Sequence, residues 1–125
     1  MAIVTVGTEM VQCVRIAHMI SRHGEQFLER VFTPAEIEHG TSSADPTAHF
    51  ARRWVAKESV FKALRCRGKR VRWTDIEVVP DPVAGHAIRL HHAAERLAAE
   101  RSIRRIHLSM GGCRTQVVAY VVMED

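Results

Sequence analysis

Long apolar runs are missing from this chain of 125 residues. The longest, Val117 to Met123, has seven residues, far short of the ~20 that a membrane-spanning helix needs, so no membrane partner is expected. Cysteine is scarce. Cys13, Cys66 and Cys113 are odd in number and none sits in a C-x-x-C pair. That argues against a disulfide framework or a zinc site, and for a reducing cytoplasm with buried or inert thiols. Aromatics are few (two Trp, one Tyr, four Phe), which leaves little for stacking on bases and weakens a nucleic-acid-binding reading. The Walker A loop, GxGxxG and HExxH are absent, as are repeats and low-complexity tracts. The eight histidines show no metal-binding spacing. The opening Met-Ala-Ile-Val-Thr-Val-Gly has no basic segment before an apolar one, so a secretory signal is not expected.

What is present is an ordinary globular composition, 46% hydrophobic and 26% charged, with a net charge of +4 and a pI near 9.4. One domain over residues 1–125 follows from the length. Ile3 to Met10 alternates as a strand, Val4, Val6, Thr8 and Met10 on one face and Ile3, Thr5, Gly7 and Glu9 on the other. Helical spacing then runs from Val14 to Val31 with a break at Gly24. Thr33-Pro34-Ala35-Glu36 reads as an N-cap, a proline at the first helical position and a capping-box glutamate. The strongest helix spans Thr47 to about Arg67, with Gly68 as its exit. Strands are predicted at Trp73–Val79 and Ala87–Leu90, joined by a turn over Asp81–Gly85. Another helix runs from Leu90 to Ala98. Strands at Arg104–Met110 and Thr115–Met123 are joined by Gly111-Gly112. This order predicts an α+β fold, a mostly antiparallel sheet packed on helices.

The predicted long helix carries the most informative residues. Glu58 lies four residues after Trp54 and three before Phe61, which puts a carboxylate on an aromatic stripe. It either pairs with Lys62 at i+4 or serves as a ligand. Glu9 follows Gly7, where a ligand or backbone can come close, and is either a solvated strand-end charge or a second ligand. Two carboxylates are the minimum protein equipment for Mg²⁺, which keeps waters and borrows substrate phosphates. Basic residues cluster at Arg52, Arg53 and Lys57, at Arg65 to Arg72, and at Arg101 to Arg105. They form either a solvated face or a frame for a polyanion. Arg53 and Lys57, like Glu58 and Lys62, are one helical turn apart, so cations are expected to flank the carboxylate.

Read together, these segments resemble the bacterial holo-acyl-carrier-protein synthases, small 4'-phosphopantetheinyl transferases. Val6-Gly7-Thr8-Glu9-Met10-Val11 is similar to their G-I/T-D-I/L-V, and Phe32 to Glu36 to F-T-x-x-E. Arg53-Trp54-Val55-Ala56-Lys57-Glu58-Ser59-Val60-Phe61-Lys62-Ala63-Leu64 resembles R-F/W-A-A-K-E-A-x-x-K-A-F/L. Asp75-Ile76-Glu77-Val78, the turn Asp81–Gly85 and His107-Leu108-Ser109-Met110 follow in the family's order.

The resemblance implies a phosphopantetheinyl-transferase-like fold, a homotrimer with sites between subunits, and no role for nucleic acid. It implies Mg²⁺-dependent transfer of 4'-phosphopantetheine from coenzyme A to a serine of an acidic apo acyl carrier protein. Glu9 and Glu58 would hold the metal, and with Lys62 would make up the catalytic group. Arg53, Lys57, Lys62 and Ser109 would bind coenzyme A, and Arg15 would face the carrier protein. The chain departs from the family pattern at three places. Glu9 stands for an Asp, Gly111-Gly112 replaces a stretch ending in a second histidine, and His86 stands for a lysine. With that histidine gone, a water held by the metal or by Glu9 is the expected base. A divergent member that binds coenzyme A or a carrier without efficient transfer is the alternative.

Overall fold

The computed structural model describes residues 1–125. β1 (Ile3–Gln12) leads into α1 (Cys13–His23) and α2 (Glu25–Val31), which part at Gly24. α3 (Pro34–Thr41) and α4 (Pro46–Ala63) follow, then a 3₁₀ turn at Trp73–Asp75. The chain ends with the hairpin of β2 (Ile76–Asp81) and β3 (Gly85–Leu90), α5 (His92–Glu100), β4 (Arg105–Gly112) and β5 (Gln116–Glu124). The strands form two antiparallel sheets rather than one, β1-β5-β4 and β2-β3. The class is the expected α+β.

α4 is the axis of the molecule. Asp45 caps it by accepting from the Ala48 N–H at 3.2 Å, with Pro46 in the first turn. Phe50, Ala51, Val55 and Ala56 join one apolar cluster with Phe27, Phe32 and Val117. Val60, Ala63 and Leu64 join a second with Ile76, Leu97, Val121 and Met123. The helix ends at Ala63, five residues before the expected Gly68. The reason is a backbone closure that needs no glycine. The Arg65 N–H bonds the Lys62 carbonyl and the Cys66 N–H the Phe61 carbonyl, both at 3.0 Å, with Arg65 at φ 55°. That is a Schellman ending, and burial of Cys66 draws the chain back onto the core. The Arg101 guanidinium donates to the Ala63 carbonyl at 2.8 Å, so one residue of the later basic cluster is a helix cap.

Two other expectations change. Trp73–Asp75 is a 3₁₀ turn rather than the start of a strand, because the buried Asp75 carboxylate accepts from the Arg72 N–H at 3.0 Å. Gly111 and Gly112 lie inside β4, paired with Val118 and Val117, and the connection is made by residues 113–115. Gly112 has φ 155°, and a Cβ there would meet the Gln116 carbonyl at 2.5 Å, so the glycine serves strand pairing. Of the thiols, Cys13 and Cys66 are buried as expected, and burial pushes Cys66 up to about 12. Cys113 is exposed, and hydrogen bonds around Thr115 draw its thiol down to about 7.

Candidate active site

β1 lies unusually close to α4 at Gly7. A Cβ there would run into the Ser59 carbonyl and come within 3.0 Å of the Ala63 side chain. With the strand seated so, its inward face is Thr5, Gly7, Glu9 and Val11. The more apolar face, with Val6 and Met10, is exposed. Glu9 therefore lands beside the outer half of α4. Lys62 reaches across from the helix, its Nζ 3.4 Å from Glu9 Oε2 and 3.2 Å from the Thr8 carbonyl.

Lys62 does not pair with Glu58. The Glu58 carboxylate is half-buried and takes part in no ion pair. Burial pushes its carboxyl above the usual range, and the charge of Glu9 adds to this, while Lys62 and Arg15 oppose it. Two carboxylates with only two cations nearby leave oxygen lone pairs for a further cation. No third His, Cys, Asp or Glu joins them. A hard divalent ion that keeps water and takes phosphate oxygens fits this donor set, and one needing four protein ligands does not. Beside the pair, Trp73 stacks on Phe61 at 5.0 Å and on Trp54 at 6.5 Å. The Arg15 guanidinium sits 5.9 Å from the Trp54 ring, on the open side of α1.

Two expected cations are elsewhere. Lys57 is fully buried: its Nζ lies 2.6 Å from Glu36 Oε1 and donates to the Ile76 carbonyl at 2.6 Å and the Trp73 carbonyl at 3.2 Å. It has no hydrogen left for a ligand, so its assignment to coenzyme A is corrected to a structural one. Glu36 completes this knot, accepting from the Thr33 and Val78 N–H groups at 2.8 and 2.9 Å. One glutamate thus ties α3, α4 and β2 together, beyond the capping role read from sequence. Arg53 turns to the other side of α4, where its Nη2 meets His86 Nε2 at 2.9 Å. The continuous basic frame around Glu58 is thereby replaced by Lys62 and Arg15.

Arg53 and His86 line a cleft of about 320 Å³ with His39, His49, Glu36 and Glu77. A second cleft, of about 420 Å³, has His86, Arg52, Ser109, Gly111 and Gly112 on its walls. Ser109 thus shares His86 with the first cleft, and neither cleft includes Glu9 or Glu58. His39 and His49 escaped the sequence reading because α3, α4 and β3 each supply one imidazole, a juxtaposition no spacing reveals.

The family description "4'-phosphopantetheinyl transferase superfamily" matches residues 5–121. A holo-(acyl-carrier-protein) synthase of Rhodopirellula baltica is 62% identical over 125 residues, the whole of both chains. The crystal structure of that synthase from Neisseria meningitidis superposes with a TM-score of 0.86 at 28% identity, covering 99% of this chain and 100% of the other. A synthase–CoA complex from Chronobacterium ammoniagenes superposes at 0.78 with 31% identity, covering 98% and 97%. The chain belongs to the holo-acyl-carrier-protein synthases of the 4'-phosphopantetheinyl transferase superfamily.

Proposed function

We propose that the protein moves 4'-phosphopantetheine from coenzyme A to a serine of an apo acyl carrier protein, at a site where Glu9 and Glu58 hold Mg²⁺. The observation that carries this is the carboxylate pair where β1 meets α4, with Lys62 reaching into it. Mg²⁺, when bound there, neutralises the pyrophosphate oxygens of the substrate. Lys62 Nζ, half-exposed, gives up its Glu9 contact for a phosphate oxygen. A water held on a Glu9 oxygen takes the serine proton and releases one of its own to solvent as the serine oxygen bonds to phosphorus. The pyrophosphate P–O bond breaks, and adenosine 3',5'-bisphosphate leaves with the electron pair.

Arg53 and Ser109 line clefts that do not contain the carboxylates. A complete site then draws its two halves from neighbouring subunits, which supports a homotrimer. The exposed face of the β1-β5-β4 sheet offers the surface: Val6, Met10 and Tyr120 are each more than half exposed, with Val118 and Val122 between them. Arg15 and the net charge of +4 suit an acidic carrier. The free thiols, and the absence of any helix long and apolar enough to cross a membrane, are consistent with a cytoplasmic setting.

The test combines transfer and binding. Conversion of apo carrier should require coenzyme A and stop when EDTA removes Mg²⁺. Calorimetry should show weakened coenzyme A affinity in Arg53→Ala and Lys62→Ala. Undiminished affinity in both would remove the phosphate-frame assignment. Coenzyme A binding without modification of any carrier would establish the divergent-binder alternative.

A further inference from the structure

We infer that the cleft between α3, α4 and the β2–β3 hairpin binds a phosphate monoester together with a proton, and that His86 is the group that takes the proton up. The inference rests on the reading of coenzyme A as substrate, because the monoester is then the terminal phosphate of that molecule.

The argument starts from one hydrogen bond. Arg53 Nη2 donates to His86 Nε2 at 2.9 Å. A guanidinium has no lone pair to offer, so Nε2 must be the acceptor and the imidazole is neutral, with its proton on Nδ1. In this state the guanidinium is partly tied back and His86 adds no charge. Protonation at Nε2 turns the acceptor into a donor, which breaks the bond and leaves two cations side by side. Without an anion that state is unfavourable. With a phosphate dianion between them it gains charge-assisted hydrogen bonds from both. Proton and anion therefore favour each other.

The surroundings point the same way. From α4, His49 lines the same cleft, and its Nε2 is buried with no partner. Burial and the neighbouring Arg53, His39, His86 and Arg52 hold it down to about 4. His86 is likewise lowered, by burial first and then by Arg53 and Arg52. The carboxylates facing the cleft are already occupied. Glu36 of α3 is bound by Lys57, and Glu77 of β2 by His91 and Thr33 at 2.9 and 2.8 Å. The cleft is thus an electropositive pocket in which His49 and His86 stay uncharged until an anion reverses the field on them. Where the family pattern has a lysine, with permanent charge, this chain has a conditional one.

Calorimetry in buffers of different ionisation enthalpy tests this near pH 7. Coenzyme A, adenosine 3',5'-bisphosphate and dephospho-coenzyme A are titrated into wild type, His86→Gln and His86→Lys. Phosphate monoesters titrate near pH ~6 themselves, so the decisive quantity is the difference between variants. Wild type should take up more protons than His86→Gln with the first two ligands, and no more with dephospho-coenzyme A. Its coenzyme A affinity should fall about tenfold from pH 6.5 to 8.5 relative to His86→Lys, the effect of an opposite charge moving a pKa by about one unit. In wild type, the His86 imidazole titration followed by NMR should move upward when coenzyme A is added. An unchanged midpoint, or equal proton uptake in wild type and His86→Gln, overturns the inference even if transfer to carrier proceeds. Uptake that persists with dephospho-coenzyme A overturns it too. Failure of coenzyme A to bind overturns both this inference and the substrate reading beneath it.

Discussion

In the proposed ligand role, Glu58 costs the fold stability at neutral pH. Burial and the nearby Glu9 charge raise its carboxyl pKa in the fold. A folded acid with a raised pKa binds its proton more tightly than the unfolded chain does. Stability therefore falls as pH rises from the unfolded value through the folded one, and the penalty remains above that. Glu58→Gln is expected to raise Tm at pH 7 without Mg²⁺, and the gain should vanish toward pH 4. Added Mg²⁺ should raise Tm in wild type and not in Glu58→Gln. Transfer activity should drop at least about 100-fold in the variant, since even an outer partner of a metal ligand costs about 10–100-fold. A calorimetric melt series against pH and Mg²⁺ checks all but the last. Lys57 and Lys62 give the contrasting pair. Lys57→Ala leaves Glu36 buried without its cation and should cost roughly 3–5 kcal/mol. Lys62→Ala removes a half-exposed partner and should change stability by no more than about 1 kcal/mol, with the loss appearing in coenzyme A affinity. Denaturant titration separates the two. Sequence placed both lysines on one helix in a motif, and it could not say which would be swallowed by the core. That depends on Glu36 and on the Trp73 and Ile76 carbonyls, sixteen or more positions away.

At the scale of elements, the contact that creates the site is β1 against α4, and Gly7 permits it. Gly7→Ala should cost about 1–3 kcal/mol through overpacking. It should also depress transfer by more than that loss explains, because the strand must lift and carry Glu9 away from Glu58. Denaturation and activity measured on one preparation check this; full activity in a destabilised variant would contradict it. The alternation in β1 was legible in the sequence, but the orientation was not. The more apolar face looks like the buried one, yet it is the exposed one, because close approach at Gly7 decides which face meets the helix. The α3 cap, the Gly24 break and the Asp81–Gly85 turn were legible because caps and turns are local chemistry; the last hairpin was legible as a pair of strands, but its turn lies at residues 113–115 and not at Gly111-Gly112. The α4 ending was not, since Arg65 adopts the left-handed conformation that Gly68 seemed to offer. The first cleft was illegible for a similar reason. Its imidazoles come from α3, α4 and β3, and only the fold brings them around Arg53.

For the molecule as a whole, the exposed sheet face and the divided clefts have one consequence in common. Tyr120→Asp, at the centre of a face shared with Val6, Thr8 and Met10 through the β1–β5 register, should turn a trimer into monomers by light scattering. Transfer should be lost while the circular dichroism of the fold is kept. A wild type that is monomeric at micromolar concentration would contradict a shared site. The same sheet buries Val117, Ala119, Val121 and Met123 against α4, so β5 is apolar on both sides: its own chain covers one face, and the proposed trimer would cover the other. The central claim is that this assembly modifies a carrier protein at the Glu9–Glu58 site. Its most direct test is the intact mass of apo acyl carrier protein after incubation with coenzyme A and Mg²⁺. With wild type, the carrier should gain one phosphopantetheinyl group on its serine, and with Glu58→Gln it should stay unmodified. An unmodified carrier with folded, coenzyme A-binding wild type would contradict the account, and so would equal conversion by both proteins.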